Sequence, residues 1–399
     1  MVVGASLAGG TAAATLREEG FGGELVLIGA EPHPPYERPP LSKSFLRGET
    51  PFEDALVRPE GFYKQHDIDA RFGVAASRLD VDRGIVTLPD GEAVPFDHLL
   101  VATGARNRRF PIPGIDLNGV YGLRTVEDCE RIRREIGPGR RAVVAGMGFI
   151  GSEVTASLRQ RGVEVTAVDG GSVPLERVLG REVGAALRDL HLDHGVKLIP
   201  QDRVVAFEGS NRVERVITGN GHRQECDFAV IGLGVEPVID VVGGSPVEVD
   251  NGILVDELCR TNVQGIYACG DVANQFHRVF GRRLRVEHWQ NARRQGRAAA
   301  LSMLGKEEPY DDVHWFWSDQ FDVNLQYAGH HTERDDVVVR GSIADRAFSA
   351  FYMKDGLMEA AVAMNRGTEV RRAMRIIKSR KPVDPALLRD PGIDLRTLA

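Results

Sequence analysis

Residues 142–151 read Ala-Val-Val-Ala-Gly-Met-Gly-Phe-Ile-Gly, and residues 1–9 read Met-Val-Val-Gly-Ala-Ser-Leu-Ala-Gly. Each stretch is a short apolar run, a glycine-rich turn and a helix-like segment. That is the strand–turn–helix start of a dinucleotide-binding βαβ unit. Two such units predict an α/β chain with two Rossmann-like domains. Two dinucleotides held by one polypeptide imply electron transfer between them.

The second motif, Gly146-x-Gly148-x-x-Gly151, is unbroken, with Phe149 and Ile150 opening its helix. Its first glycine makes the tight turn, its second lets backbone approach a pyrophosphate, and its third lets the helix pack on the strand. Asp169 follows at a strand end, roughly 20 residues on, where an acid accepts ribose hydroxyls and repels a 2′-phosphate. NADH is therefore expected over NADPH, with Arg177 nearby as the opposing signal. In the first motif, Gly4-x-Ser6-x-x-Gly9, serine replaces the middle glycine. The amides of Ser6, Leu7, Ala8 and Gly9 and the helix dipole supply the positive end that a phosphate needs. Glu31 stands where a carboxylate reaches a ribose. Only three residues precede Gly4, which leaves a very short first strand and the expectation of a longer native amino terminus.

Outward from the motifs, the pattern predicts a helix over Leu7–Glu19 stopped by Gly20, and a buried strand over Glu24–Ile28. The proline-rich Glu31–Lys43 reads as extended loop. Phe96–Gly104 reads as a buried strand. Further on, a strand starting at Arg141, a helix over Phe149–Arg161 and a strand over Glu164–Val168 lead on to the loop at Gly232–Gly234. Gly265–Asp271 is another strand ending in Gly-Asp, followed by a helix over Trp289–Leu304. From about His314 the character changes to strand-like runs near Val337–Val339 and Phe348–Tyr352 and a basic helix near Thr368–Lys378. The expected domains are an FAD-binding domain in two parts (1–108 and 236–313), an NAD(H)-binding domain (109–235) and a small α+β domain (314–399).

Composition narrows the class. A chain of 399 residues has room for several domains, and its net charge of −7 speaks against a general nucleic-acid binder. No apolar run has the length of a membrane span. Met1–Leu16 is apolar but lacks a basic leader, and its glycines belong to the fingerprint, so cytoplasmic residence is expected. The four cysteines, Cys129, Cys226, Cys259 and Cys269, form no Cys-x-x-Cys or Cys-x4-Cys pair, against a redox dithiol, a disulfide framework or an iron–sulfur cluster. His191 with His194, and His330 with His331, have no carboxylate or cysteine pattern beside them and read as core or surface histidines rather than metal ligands.

Further motifs carry a family resemblance. Tyr36-Glu37-Arg38-Pro39-Pro40-Leu41-Ser42-Lys43, Ala102-Thr103-Gly104 and Leu123-Arg124-Thr125 lie between the two glycine motifs, and Gly270-Asp271, Glu287-His288-Trp289 and Phe316-Trp317-Ser318-Asp319-Gln320 follow the second. In this order they resemble an FAD-dependent pyridine-nucleotide reductase with a glutathione-reductase-like fold, in the ferredoxin reductase branch of the putidaredoxin reductase and biphenyl dioxygenase reductase type. The resemblance implies FAD contacts from Gly4–Gly9, Glu31, Arg38, Lys43, Ala76, Ala102, Thr103, Gly104, Arg124, Gly270, Asp271, His288 and Trp289, with Trp317 covering the flavin. It implies NADH contacts from Gly146–Gly151, Glu153, Asp169, Arg177 and Gly234. Lys43 and Glu153 would pair beside the flavin and orient the nicotinamide. The family usually carries glutamate where this chain has Asp169.

The dithiol and single-cysteine branches of this superfamily place sulfur where this chain has Pro39–Phe45. An outside acceptor is therefore implied, a small ferredoxin, most simply of the two-iron kind, serving a cytochrome P450 or a ring-hydroxylating dioxygenase. Such ferredoxins are commonly acidic. Basic docking candidates are Arg371, Arg372, Arg375 and Lys378 on one helix, and Arg282, Arg283 and Arg285 elsewhere. The alternatives are an NADH oxidase or diaphorase with a small acceptor, and an NADH-responsive flavoprotein like apoptosis-inducing factor.

Overall fold

The computed structural model describes residues 1–332, 334 and 336–399. It divides into two compact units, one of residues 1–37, 52–106 and 236–316, the other of residues 38–51, 107–235 and 317–399.

The first unit is built on a five-stranded parallel sheet in the order Ile266–Ala268, Leu99–Val101, Val2–Val3, Val26–Gly29, Asp69–Phe72. Successive residues of its strands feed different cores. Val2, Leu27 and Leu100 join Ala12, Leu16 and Ala299 of the helices Leu7–Glu18 and Trp289–Met303. Val3, Ile28 and Val101 join Val86, Val241 and Ile253 on the opposite face. A parallel sheet buried on both faces requires such all-apolar strands. The strand expected over Phe96–Gly104 is confined to Leu99–Val101, because Thr103 turns its hydroxyl to the Val238 carbonyl at 2.6 Å and Gly104 adopts φ 71°.

The second unit holds another parallel sheet, ordered Lys197–Ile199, Glu164–Val168, Arg141–Ala145, Phe228–Ile231, Val120–Gly122. Its glycine turn leads into the helix Phe149–Gln160. The same unit contains nearly all of a five-stranded sheet ordered Trp315–Gln320, Val323–Gly329, Leu357–Met364, Ala347–Lys354, Asp336–Ser342, against which the helix Gly367–Ser379 packs. The α+β character expected after His314 is thus present.

One local expectation is corrected. Pro39–Ser42 is a 3-10 turn rather than extended loop, followed by the short helix Ser44–Arg47. Proline in the first turn presets φ for a helical start, and its missing N–H belongs to a group with no intrahelical partner. The Leu41 and Lys43 amides close the turn on the Arg38 and Pro40 carbonyls.

Candidate functional site

In the first unit the chain passes from strand Val2–Val3 through Gly4, at φ 109°, into the helix that Ser6 caps without a side-chain hydrogen bond. A Cβ on Gly4 would lie 2.1 Å from the Ala102 carbonyl oxygen, so the tight turn admits glycine alone. The first-turn amides are left without a side-chain cap, which suits a phosphate. Ser6 in place of the middle glycine keeps this geometry. Glu31 accepts a hydrogen bond from the buried Tyr36 hydroxyl, which fixes its carboxylate. Gly270, at φ 75°, donates its amide to Gln295 at 2.8 Å beside Asp271, and His288 caps the helix that Trp289 opens. Ala76 is half-buried and Ala102 buried on the same unit. Four other residues expected along the flavin, Arg38, Lys43, Arg124 and Trp317, belong to the second unit. There Arg38 donates to the Arg124 carbonyl, and the Trp317 indole donates to Asp319 at 3.0 Å.

The second unit repeats the turn. Gly146 has φ 94°, and Gly148 caps the helix with no side-chain bond. Space around Gly148 is open, with no atom of the described residues beyond its chain neighbours within 4 Å of where a Cβ would be, and Ile150 beside it is left 46% exposed. A close-approaching ligand fits there. Asp169, at the end of strand Glu164–Val168, accepts from the Met147 amide at 2.5 Å and the Gly171 amide at 2.7 Å. It therefore also braces the glycine turn. A largely apolar cleft lined by Met147, Asp169, Val173, Leu192 and Leu198 adjoins it. Arg177 is exposed, and Gly234 takes φ 88° after strand Phe228–Ile231.

In that unit Glu153, on the helix after Gly151, is 3% exposed and meets Lys43, 12% exposed, at 2.6 Å. Burial makes this ion pair costly to leave half-made. The same oxygen accepts from Ser42 Oγ at 2.5 Å, and the other carboxylate oxygen accepts from Ser318 Oγ at 2.7 Å. Ser42 and Ser318 were not among the expected site residues. The alternation of Trp315–Gln320 carries the signal, since Ser318 and Gln320 share the buried face while Trp317 and Asp319 share the other.

The four cysteines are buried and free. Burial pushes the Cys129 and Cys226 thiols up to about 12, and those of Cys259 and Cys269 up as well. Among the described residues, no group of three or more His, Cys, Asp and Glu is placed to hold a metal, and no helix is long and apolar enough to cross a membrane.

Two glycine-turn βα units, each with a ligand-fitting helix start, and a buried lysine–glutamate pair define a flavin- and nicotinamide-dependent oxidoreductase. The chain belongs to the pyridine nucleotide-disulphide oxidoreductase family, whose model matches residues 1–296, and a reductase C-terminal model matches residues 315–399. Rhodocoxin reductase of Rhodococcus erythropolis is 36% identical over 99% of this chain and 93% of its own. The ferredoxin–NAD(+) reductase component of the anthranilate 1,2-dioxygenase system of Burkholderia cepacia is 37% identical over 100% of this chain and 98% of its own. Among solved structures, the covalent putidaredoxin reductase–putidaredoxin complex matches with a TM-score of 0.96 and 34% identity, over 100% of this chain and 97% of that one.

Proposed function

We propose that this protein passes electrons from NADH through FAD to a small two-iron ferredoxin, which serves a cytochrome P450 or a ring-hydroxylating dioxygenase. FAD, when bound, accepts a hydride from NADH and releases two electrons one at a time. The residues supply binding and alignment. The amides of Ser6–Gly9 and Glu31 bind the FAD pyrophosphate and ribose, with Ala76, Ala102, Thr103, Gly104, Arg38, Arg124, Gly270 and Asp271 along the cofactor. The helix that follows His288 and starts at Trp289 would offer its positive end to the flavin, and Trp317 would be a further flavin contact. Gly146–Gly151, Asp169, Arg177 and Gly234 hold NADH. Lys43 and Glu153 orient the nicotinamide, since hydride transfer needs alignment rather than an acid or base. The division 1–108, 109–235, 236–313 and 314–399 is retained as the domain assignment, and residence as cytoplasmic.

The observation that carries this reading is the sulfur. Every cysteine is buried with its thiol pKa raised, so no thiolate stands ready inside the chain. The acceptor is then external, and the relatives of matching length are named as reductases, one of them a ferredoxin–NAD(+) reductase component. The helix Gly367–Ser379 favours the docking role. Arg371, Arg375 and Lys378 are exposed while Val370, Ala373 and Ile377 are buried. In the other basic cluster Arg283 donates to the Val255 and Asn274 carbonyls, and Arg285 donates to Asp271 O and pairs with Glu287 at 2.7 Å, so these two guanidiniums are held against their own unit. The test is rapid mixing of the yellow protein with NADH and with NADPH, then with a panel of ferredoxins. NADH bleaching followed by ferredoxin reduction is expected. A colourless preparation, or a bleached one that no ferredoxin reoxidises faster than oxygen does, overturns the reading.

A further inference from the structure

Beyond Ser318, the hydrogen bonds leading from Glu153 continue inward. Ser318 Oγ accepts from Gln320 Nε2 at 3.1 Å, and Gln320 Oε1 lies 3.0 Å from His191 Nε2. Ser318, Gln320 and His191 are 0%, 1% and 0% exposed. The polarity of this chain is determined from its end. A carboxylate only accepts, so the Ser318 hydroxyl donates to it and must itself accept. Gln320 then turns its NH2 to Ser318 and its oxygen to His191, and His191 must carry its proton on Nε2. The Nδ1 atom is buried with no partner among the described residues, as the unprotonated nitrogen of that tautomer would be. Burial also lowers the imidazole to about 4, which keeps it neutral near pH 7. Phe321, next along the chain at φ 55°, stacks on His194 at 3.8 Å and meets His191 edge-on at 5.4 Å. The end of strand Trp315–Gln320 is thereby tied to the last turn of the helix Glu176–Asp193.

We propose that Ser318, Gln320 and His191 are positioning residues for hydride transfer, holding one oxygen of Glu153 so that the other stays on Lys43. This rests on the reading of Lys43 and Glu153 as the pair that orients the nicotinamide. All donors in the chain point toward the carboxylate, so each bond polarises the next. Removing the last donor leaves one buried carboxylate oxygen unpaired, with Ser42 and Lys43 holding only the other, and lets the carboxylate turn out of its alignment.

The experiment compares holoenzymes carrying Glu153→Ala, Ser318→Ala, Ser318→Thr and the double Glu153→Ala/Ser318→Ala change. Flavin bleaching by NADH is followed over a range of NADH concentrations, with flavin content and Tm recorded. Ser318→Ala is expected to slow bleaching at saturating NADH about tenfold, with the apparent Kd for NADH changed by less than about twofold. Ser318→Thr, which keeps the hydroxyl, restores the rate, and the double variant is no slower than Glu153→Ala alone. A Ser318→Ala rate within twofold of the wild type, or a double variant in which the two losses multiply, overturns the proposal. If Glu153→Ala itself leaves bleaching unchanged, the orienting role of the pair fails first and the proposal with it. Should Ser318→Ala not retain flavin, Gln320→Met keeps the serine and breaks the next link, and the same thresholds decide.

Discussion

The Cβ that Gly151 lacks would lie 1.9 Å from the carbonyl oxygen of Gly146, and Gly9 stands to the carbonyl of Gly4 in the same way at 1.8 Å. In both halves the third glycine of the motif lets the helix start touch the backbone of the turn. Alanine there must push the helix off the strand, an overpacking error on the order of 1–3 kcal/mol. Gly9→Ala is expected to give protein with little bound flavin. Gly151→Ala should stay yellow but lose at least about tenfold in NADH reduction. Flavin absorbance and NADH-dependent bleaching check the two outcomes, and equal effects of both changes on flavin content would contradict the assignment of the two turns to different dinucleotides.

Asp169 accepts from the amides of Met147 and Gly171. Its carboxylate shapes the glycine turn, and in the proposed NADH-binding role it would also repel a 2′-phosphate. Asp169→Asn keeps the size and removes the charge. The ratio of kcat/KM for NADH over NADPH is expected to fall by about tenfold, mostly through improved NADPH use. An unchanged ratio would mean that Asp169 serves the turn alone.

The basic helix gives a prediction about ferredoxin. Arg371 and Arg375 are exposed, whereas Arg372 lies 3.7 Å from Asp394. Reversing Arg372 would disturb that contact, so Arg371→Glu with Arg375→Glu is the cleaner probe. Ferredoxin reduction at low salt should slow about tenfold or more, and NADH-to-ferricyanide turnover should not change. The deficit should shrink as salt rises. Equal loss with both acceptors would place the effect in the fold.

His191 makes stability depend on pH. Its imidazole is lowered from 6.5 to about 4 by burial. Between those values the unfolded chain binds a proton that the folded chain excludes, so stability falls as pH falls from about 6.5 to about 4, by up to about 3 kcal/mol. His191→Gln can still offer an N–H to Gln320 and does not titrate. Denaturant midpoints across this range should decline less steeply for the variant, and parallel declines would remove His191 as the cause.

Both glycine turns were legible in the sequence because each is local, with strand, turn and helix lying within a dozen or so residues. The helix Leu7–Glu18 stops close to Gly20, the glycine that predicts its end, and Phe149–Gln160 ends within a residue of its expected bound. The surroundings of Glu153 were less legible. Ser42, Ser318, Gln320 and His191 come from distant parts of the chain, and no short motif records that they meet. Their one trace is the two-residue period of Ser318 and Gln320. The Pro39–Ser42 turn was misread because consecutive prolines suit both an extended loop and the first turn of a helix.

Arg340 holds the end of the chain to the sheet after Trp315. It is 3% exposed, reaches Glu369 at 3.1 Å, and donates to the backbone carbonyls of Leu388, Asp390, Pro391 and Ile393. Glu369 also accepts from Ser349 and from Arg366, so it keeps partners when Arg340 is removed. The Asp390 carbonyl keeps the Ile393 amide, while those of Leu388, Pro391 and Ile393 lose the guanidinium as donor, and an acceptor left unpaired in a buried place costs about 1–3 kcal/mol. Arg340→Met retains much of the side-chain volume and drops the charge. It is expected to destabilise by about 3–5 kcal/mol and to open the segment 388–393 to proteolysis while flavin content stays normal. Cleavage at wild-type rates would show that this tail is held by packing of Leu388 and Leu395, both fully buried, and not by the guanidinium.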